Sequence, residues 1–450
     1  MSNTQRTMKL IAFMQACNSS NYPASWRHPQ TMPDFLTPDY YQRIAKTLED
    51  GKFHLAFFDD RLGMPEYSDS HEEAVRYGIR VVRMDLTVIL MAMAAVTSKL
   101  GLGATYSTTY QEPFHTARMF ATLDLMTRGR AAWNIVTSIN DTEAANFGRD
   151  HHMERDLRYE RADEFLEVVT GHWDTWEDDA IIQDKTSGIF ADPAKIHTLD
   201  YKGQFFKSRG PFTVPRTPQG WPVLLQAGQS GRGVEFAARW GEVVFVTNQT
   251  IAIGKEKYRE LKEAAAGLGR DPEQVNMVQA CYVVVGETET IVREKRALID
   301  SLVKPEDILL MMGDRVNLDL AGRDLDAPLS DADLAAMATF HKIKDRAIRK
   351  EGQPNPSLRD MLTQSGRATI REFPVFCGTP KSVADEMEQW FEERACDGFV
   401  IAATHMPGAY EDLVRLVVPE LQRRGIFRRD YEGDTLRENL GLSRPSVPRH

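Results

Sequence analysis

The stretch PVLLQAGQSGRG, residues 222–233, decides how the chain is read. A short apolar run from Pro222 to Gln226 stops at Ala227 and Gly228. A small polar turn follows with Gly228, Ser230, Gly231 and Gly233, and a helical pattern, VEFAARWG, begins at once. Strand, glycine turn and helix N-terminus in that order build an anion site. Backbone N–H groups and the positive end of the helix dipole both face the turn, and glycine lets a ligand approach the backbone. Ser230 adds a hydroxyl donor. A lone glycine turn also serves ordinary strand-to-helix connections, so the flanking sequence has to choose.

Outward from this turn the chain alternates strand-like and helix-like runs. Strands are expected at Lys9–Met14, His54–Asp59, Gly101–Thr109, Arg130–Thr137, residues 222–227, Glu242–Thr247, Asn276–Val285 and Gly398–Ala402. Between them lie helical runs: one opened by Thr37-Pro38 and ending near Asp50, then Leu86–Leu100, Pro113–Thr127, an amphipathic Asp156–Trp176, Ile251–Leu268, one capped by Thr379-Pro380, and Tyr410–Arg424. About eight βα units predict right-handed crossovers and a parallel sheet closed into a (β/α)8 barrel. One domain over 1–450 is expected, with an excursion at about 177–221 after the fourth strand and an insertion at about 286–378 after the seventh. The insertion shows helical patterns but no clear strand. A C-terminal tail begins at about 425.

With 450 residues, 42% hydrophobic and 27% charged, the chain can bury a large core. A net charge of -10 argues against nucleic acid or an anionic membrane as partner. No apolar run approaches the roughly 18 residues of a membrane span, and MSNTQRTMKL lacks the apolar core of a secretory signal. Cys17, Cys281, Cys377 and Cys396 are scattered, which fits a reducing cytoplasm and no metal spacing.

In a barrel the chemistry gathers where strands end. Asp59-Asp60 closes the second strand. Alternation puts Thr105, Ser107 and Thr109 on one face of the third, and Asn134, Val136 and Ser138 on one face of the fourth. Gly228 and Ser230 follow the fifth. Polar residues facing into a barrel need partners, and a polar ligand would supply them.

These residues sit in segments that resemble the bacterial-luciferase-like flavin monooxygenases, and more narrowly the nitrilotriacetate, dibenzothiophene-sulfone and long-chain-alkane monooxygenase group. The matching pieces are GKFHLAFFDD (51–60), GLGATYSTTYQEPFHTARMFATLDLMTRGR (101–130), WNIVTSINDTEAANFG (133–148), RYERADEFLEVV (158–169), PVLLQAGQSGRGVEFAA (222–238), GTPKSVADEM (378–387) and VVPELQRRGIFRRDYEGDTLRENLGL (417–442). The resemblance implies a (β/α)8 barrel and the oxygenase component of a two-component system. Such a component uses FMN as FMNH2, delivered by diffusion from a separate NAD(P)H:FMN reductase, with O2 as co-substrate. A flavin C4a-hydroperoxide would oxygenate a small xenobiotic, organosulfur or amine/carboxylate compound. By motif, Asp60 and Thr105 would sit near the isoalloxazine and Asn134 near the ring or ribityl chain. Ser138, Tyr159, Gly228, Ser230 and Gly231 would hold the phosphate. Arg155 stands where many relatives have histidine, and it would pair with the phosphate without titrating near neutral pH. A homodimer or homotetramer is implied.

Three points stay open in the sequence. Cys17, Trp26 and His28, after the first strand, are placed to line a substrate pocket, and Cys17 and His28 are the candidates for a catalytic part. Arg76, Arg80 and Arg83 suit a carboxylate or sulfonate if they face the barrel mouth and carry no such meaning if they face solvent. Met311-Met312 is either an apolar lid or simple core. No metal is expected at His151-His152, because neighbouring side chains diverge on a regular backbone. Hydride transfer with deazaflavin F420 and non-catalytic flavin binding are the competing functions.

Overall fold

Nine strands and the helices between them form the fold in a computed structural model that describes residues 6–66, 70–228, 231–316, 323–338, 355–364 and 373–446, with positions 318 and 320. The strands are β1 (Lys9–Gln15), β2 (Leu55–Asp59), β3 (Gly101–Ser107), β4 (Ala131–Val136), β5 (Val223–Gln226), β6 (Val243–Val246), β7 (Asn276–Val285), β8 (Val375–Gly378) and β9 (Gly398–Ala402). β1 pairs with β2 on one side and β9 on the other, β9 pairs with β7, and β7 with β6, so eight parallel strands close a ring. The expected (β/α)8 barrel is present.

Strand alternation sorts the apolar side chains into two cores. Ile11, Phe13, Leu55, Phe57, Val243, Phe245, Val278 and Val400 fill the barrel interior. Their strand neighbours Leu10, Ala12, Met14, Ala56 and Phe58 point outward and pack under the surrounding helices. Both faces being buried explains why these strands read as unbroken apolar runs. The interior is plugged from below: Leu436, Leu440 and Leu442 of the C-terminal tail join the interior cluster. The Leu436 N–H donates to Gly129 O at 2.9 Å, and the Arg437 guanidinium, 2% exposed, meets both oxygens of Glu242 at 2.6 and 3.0 Å.

Four expectations are corrected. The insertion after β7 does contain a strand. β8 pairs along the upper half of β7, from Tyr282↔Val375 to Val285↔Gly378, above the stretch where β6 pairs with β7. A four-residue strand of Val, Phe, Cys and Gly is too short to show a period. It forms because β7 is ten residues long and outruns β6. The helix expected over Leu86–Leu100 ends at Ala94, and the Arg130 guanidinium instead binds the Thr97 hydroxyl and Leu100 carbonyl. The helix at Arg155–Trp173 is not amphipathic, since Arg158, Arg161 and Asp163 are buried with its apolar residues. In its neighbourhood the excursion forms two short hairpins, Ile181–Asp184 with Ile189–Ala191 and Tyr201–Lys202 with Lys207–Ser208. Finally, β4 stops at Val136, so Ser138 is not a strand residue; it holds a left-handed φ of 42°.

Met311 and Met312 prove to be core. They lie in a helix, Pro305–Val316, and pack with Leu309, Leu329, Ala74 and Ile79 in a satellite cluster. That cluster pins the segment following β2 over the carboxyl end of the barrel. Arg27 adds a pair to buried Asp307, with Nη2 to Oδ1 at 2.8 Å, and the Trp26 indole donates to Tyr77 O at 3.0 Å. Trp26 is therefore a loop anchor.

Candidate active site at the carboxyl end of the barrel

A cavity of about 350 Å³ opens where β2, β4, β5 and β6 end. Its floor is aromatic. Phe13 and Phe57 meet edge to face at 5.4 Å, Phe57 lies 4.6 Å from Phe245, and Phe373 closes against Phe13 at 6.5 Å. Its walls are polar: Asp60, Arg80 and Arg83 after β2, Asn134 and Ser138 on and after β4, and Gly228 after β5. An apolar floor with a few convergent polar groups is the usual make-up of a small-molecule site.

Asn134 is 3% exposed, and its Nδ2 donates to the Thr105 hydroxyl at 2.8 Å. That hydroxyl donates in turn to Phe58 O at 2.7 Å. The chain of bonds fixes the amide and leaves Asn134 Oδ1 buried with no partner among the described residues. A buried acceptor left unpaired costs about 1–3 kcal/mol, so this atom is an opening for a donor on a ligand. Thr105 does not line the cavity; it orients Asn134. Asp60 does line it, and burial pushes its carboxyl up to about 7 against the opposing pull of the Arg61 N–H and the Arg83 charge.

Ser138 Oγ lies 2.9 Å from Ser107 Oγ and donates to Glu143 Oε1 at 3.4 Å. Glu143 is 4% exposed and also accepts from Leu62 N at 3.1 Å. Sequence reasoning passed over Glu143, although it stands in the quoted 133–148 motif three residues after Asn140. It passed over Arg158 too, whose guanidinium binds the Ser138 carbonyl. The left-handed backbone at Ser138 is held from both sides.

The glycine turn forms the other wall. A Cβ on Gly228 would collide with Gly233 O, so strand end and helix start touch backbone to backbone. The Gly228 N–H donates to Gln226 Oε1. Gly231 takes φ +50° and caps the helix Arg232–Trp240 with no side-chain cap. The nearest side-chain atom to a Cβ there is Arg155 Nη2, at 3.8 Å. The Tyr159 hydroxyl rests 3.0 Å from the Cβ position of Gly233. Burial raises the Tyr159 pKa, while the charges of Arg155, Arg158 and Arg232 oppose that rise. Three arginines thus stand about the turn, one of them, Arg232, paired to Asp163, in a chain that is anionic as a whole. Ser230 lies outside the described residues.

The two catalytic candidates are not on this cavity. Cys17 lines a neighbouring pocket of about 200 Å³ with Trp26 and Arg80, and its sulfur accepts from Arg83 Nη1 at 3.2 Å. His28 lines a third pocket of about 220 Å³ and stacks on His405 at 3.7 Å. Cys17, two residues past the end of β1, meets the cavity only through Arg83, whereas His28 lies farther along the loop against His405. His151 and His152 do converge, against the expectation. Both Nδ1 atoms face Asp141, at 3.5 and 2.6 Å, because the segment is irregular coil rather than a regular backbone. Arg76 is exposed and paired with Glu72 and Glu73, whereas Arg80 and Arg83 line the cavity.

No helix among the described residues is long and apolar enough to cross a membrane. Residues 8–398 match the luciferase-like monooxygenase family. The chain is 42% identical over 452 residues to a dibenzothiophene-sulfone monooxygenase of Rhodococcus erythropolis, with 98% of each protein covered. It is 42% identical over 442 residues to nitrilotriacetate monooxygenase component A of Aminobacter aminovorans, with 97% of this chain and 96% of that protein covered. The solved structure of a long-chain alkane monooxygenase superposes with a TM-score of 0.87 at 33% identity, covering 97% of this chain and 96% of the other. A riboflavin lyase solved with modified FMN and riboflavin superposes equally well, at 31% identity and with the same coverage. Barrel, carboxyl-end cavity, glycine turn and end-to-end similarity agree, and the chain belongs to the luciferase-like monooxygenase family.

Proposed function

We propose that this protein is the oxygenase component of a two-component flavin monooxygenase, taking reduced FMN from a separate flavin reductase and using O2 to oxygenate a small organic compound. The observation that carries the reading is the pairing of two features on one cavity. Asn134 offers a buried, unsatisfied acceptor at one wall, and Gly228 of the glycine turn and Tyr159 line the other, with the charges of Arg155 and Arg158 behind them. A flavin mononucleotide has a ring N–H to meet the first and a phosphate to meet the second.

Asn134, oriented by Thr105, and Asp60 would hold the flavin ring. Ser138, Tyr159, Gly228, Ser230, Gly231 and Arg155 would hold the ribityl phosphate. Reduced FMN, when bound, supplies the two electrons with which O2 delivers one oxygen atom to the substrate and one to water. The aromatic floor keeps bulk water from the reacting atoms. Asp60, neutral below about pH 7, can donate a hydrogen bond where an ordinary aspartate only accepts. The oxygenase reading is favoured over F420-linked hydride transfer because the curated relatives at 40–42% identity are all monooxygenases by name.

An anaerobic titration of the purified protein with reduced FMN, oxidised FMN and F420 tests the reading. Selective binding of reduced FMN, followed by reductase-dependent uptake of O2 into a product, is the expected result. Preference for F420 would move the reaction to hydride transfer, and flavin binding with no oxygen incorporation would make the protein a carrier.

A further inference from the structure

Among the polar groups on the cavity, Arg83 stands apart. It lines the cavity, yet it has no ion pair with any carboxylate among the described residues. Its Nη1 donates to the Cys17 sulfur and to Val82 O, each at 3.2 Å, two neutral and weak partners for a full charge. Its Nε is buried and has no hydrogen-bond partner among the described residues. Among the described residues no hydrogen bond beyond these two offsets the desolvation of this half-buried guanidinium. Asp60, whose carboxyl feels the Arg83 charge, is itself pushed up to about 7 by burial. Arg80 lines the same wall.

The segment that carries these arginines is firmly placed. Ile79 and Ala74 are locked into the satellite core. Gly78 turns the chain at φ +70° beneath the Trp26 indole, and Arg80 holds a left-handed φ of 55°. Non-glycine residues in that region cost roughly 1–3 kcal/mol and persist where the surroundings insist on them. The arginine wall is thus built into the fold.

We propose that Arg83 is the anchor for an anionic group on the substrate, so that the enzyme acts on compounds bearing a carboxylate or sulfonate rather than on neutral ones. The proposal rests on the flavin-site reading above, which assigns Asp60 to the ring and leaves Arg83 for the substrate. Guanidinium and oxyacid pair in a fork geometry that an ammonium cannot reproduce.

The test is calorimetric binding to the FMN-loaded protein with matched probe pairs, phenylacetate against phenylacetamide and benzenesulfonate against benzenesulfonamide. Wild type is expected to bind each acid at least ~10-fold more tightly than its amide. Arg83→Met is expected to abolish that preference, and Arg83→Lys to keep part of it, with FMN affinity within about twofold of wild type in both. Absence of acid preference in wild type, including absence of binding by either acid, overturns the proposal, as does a preference that survives Arg83→Met. If FMN affinity falls in step with acid binding, Arg83 serves the flavin and the proposal also fails. Failure of wild type to bind FMN at all is a different result and removes the flavin-site reading instead.

Discussion

Asp60 and Asn134 carry the sharpest single-residue expectations. Burial raises the Asp60 pKa from 3.8 to about 7. The folded protein therefore holds a proton there that the unfolded chain releases between those values. Stability from this group is complete below pH 4, falls as pH rises and is lost above pH 7, by up to ~4 kcal/mol. Asp60→Asn cannot ionise. Thermal melts at pH 4 and pH 8 should show wild type and variant together at the lower value and wild type melting lower at the higher one. Asn134→Ala removes the unpaired acceptor and should weaken FMN by roughly 10-fold, about 1.4 kcal/mol, as read by flavin titration. If Thr105 acts through Asn134, then Thr105→Val should reproduce most of that loss in the same titration, and the double variant should add little. These polar positions were legible because strand alternation and strand-end logic point to them. The division of labour between Thr105 and Asn134 was not, since a hydrogen bond across two strands leaves no trace in spacing.

At the scale of elements, the glycine turn is where sequence and geometry meet most closely. Gly228→Ala would set a Cβ against the Gly233 carbonyl, and backbone cannot yield without moving the helix that follows. An FMN affinity loss of at least ~10-fold is expected. The matched control is Gly267→Ala, at the end of a helix with nothing near its Cβ position, which should leave binding alone and stabilise by up to ~1 kcal/mol in a denaturant melt. The strands were readable because burial on both faces makes them continuous apolar runs. β8 was not, because four residues carry no period and the partner that recruits it, the overhang of β7, exists only in three dimensions. His28 lies on a pocket apart from the cavity for a related reason: a strand end can be located from sequence, but the path of the long loop beyond it cannot.

The whole molecule separates its tasks by end. Ligand-facing groups collect at the carboxyl rim, and the tail seals the opposite mouth with Leu436, Leu440 and Leu442. Glu242→Ala would strand the buried Arg437 charge and should cost about 3–5 kcal/mol in a chemical melt. FMN affinity of the folded fraction should stay at its wild-type value, because the lesion lies at the far end of the barrel. Loss of flavin binding in a protein of undiminished stability would mean that the two ends are coupled. In the sequence the tail shows only as an appendage with a family-like pattern. Its part as a plug depends on which residues lie beneath the barrel, and that follows from closure of the ring rather than from any local motif.

That arrangement bears on how the protein is made. The first strand lies beside the ninth, nearly four hundred residues later in the chain, and the plug comes later still. A ribosome must therefore deliver residue 442 before the barrel's apolar floor is shut. Until then the nascent chain presents an open greasy bore to the cell, so the expressed yield of this enzyme should respond to chaperone supply more than its finished stability would suggest.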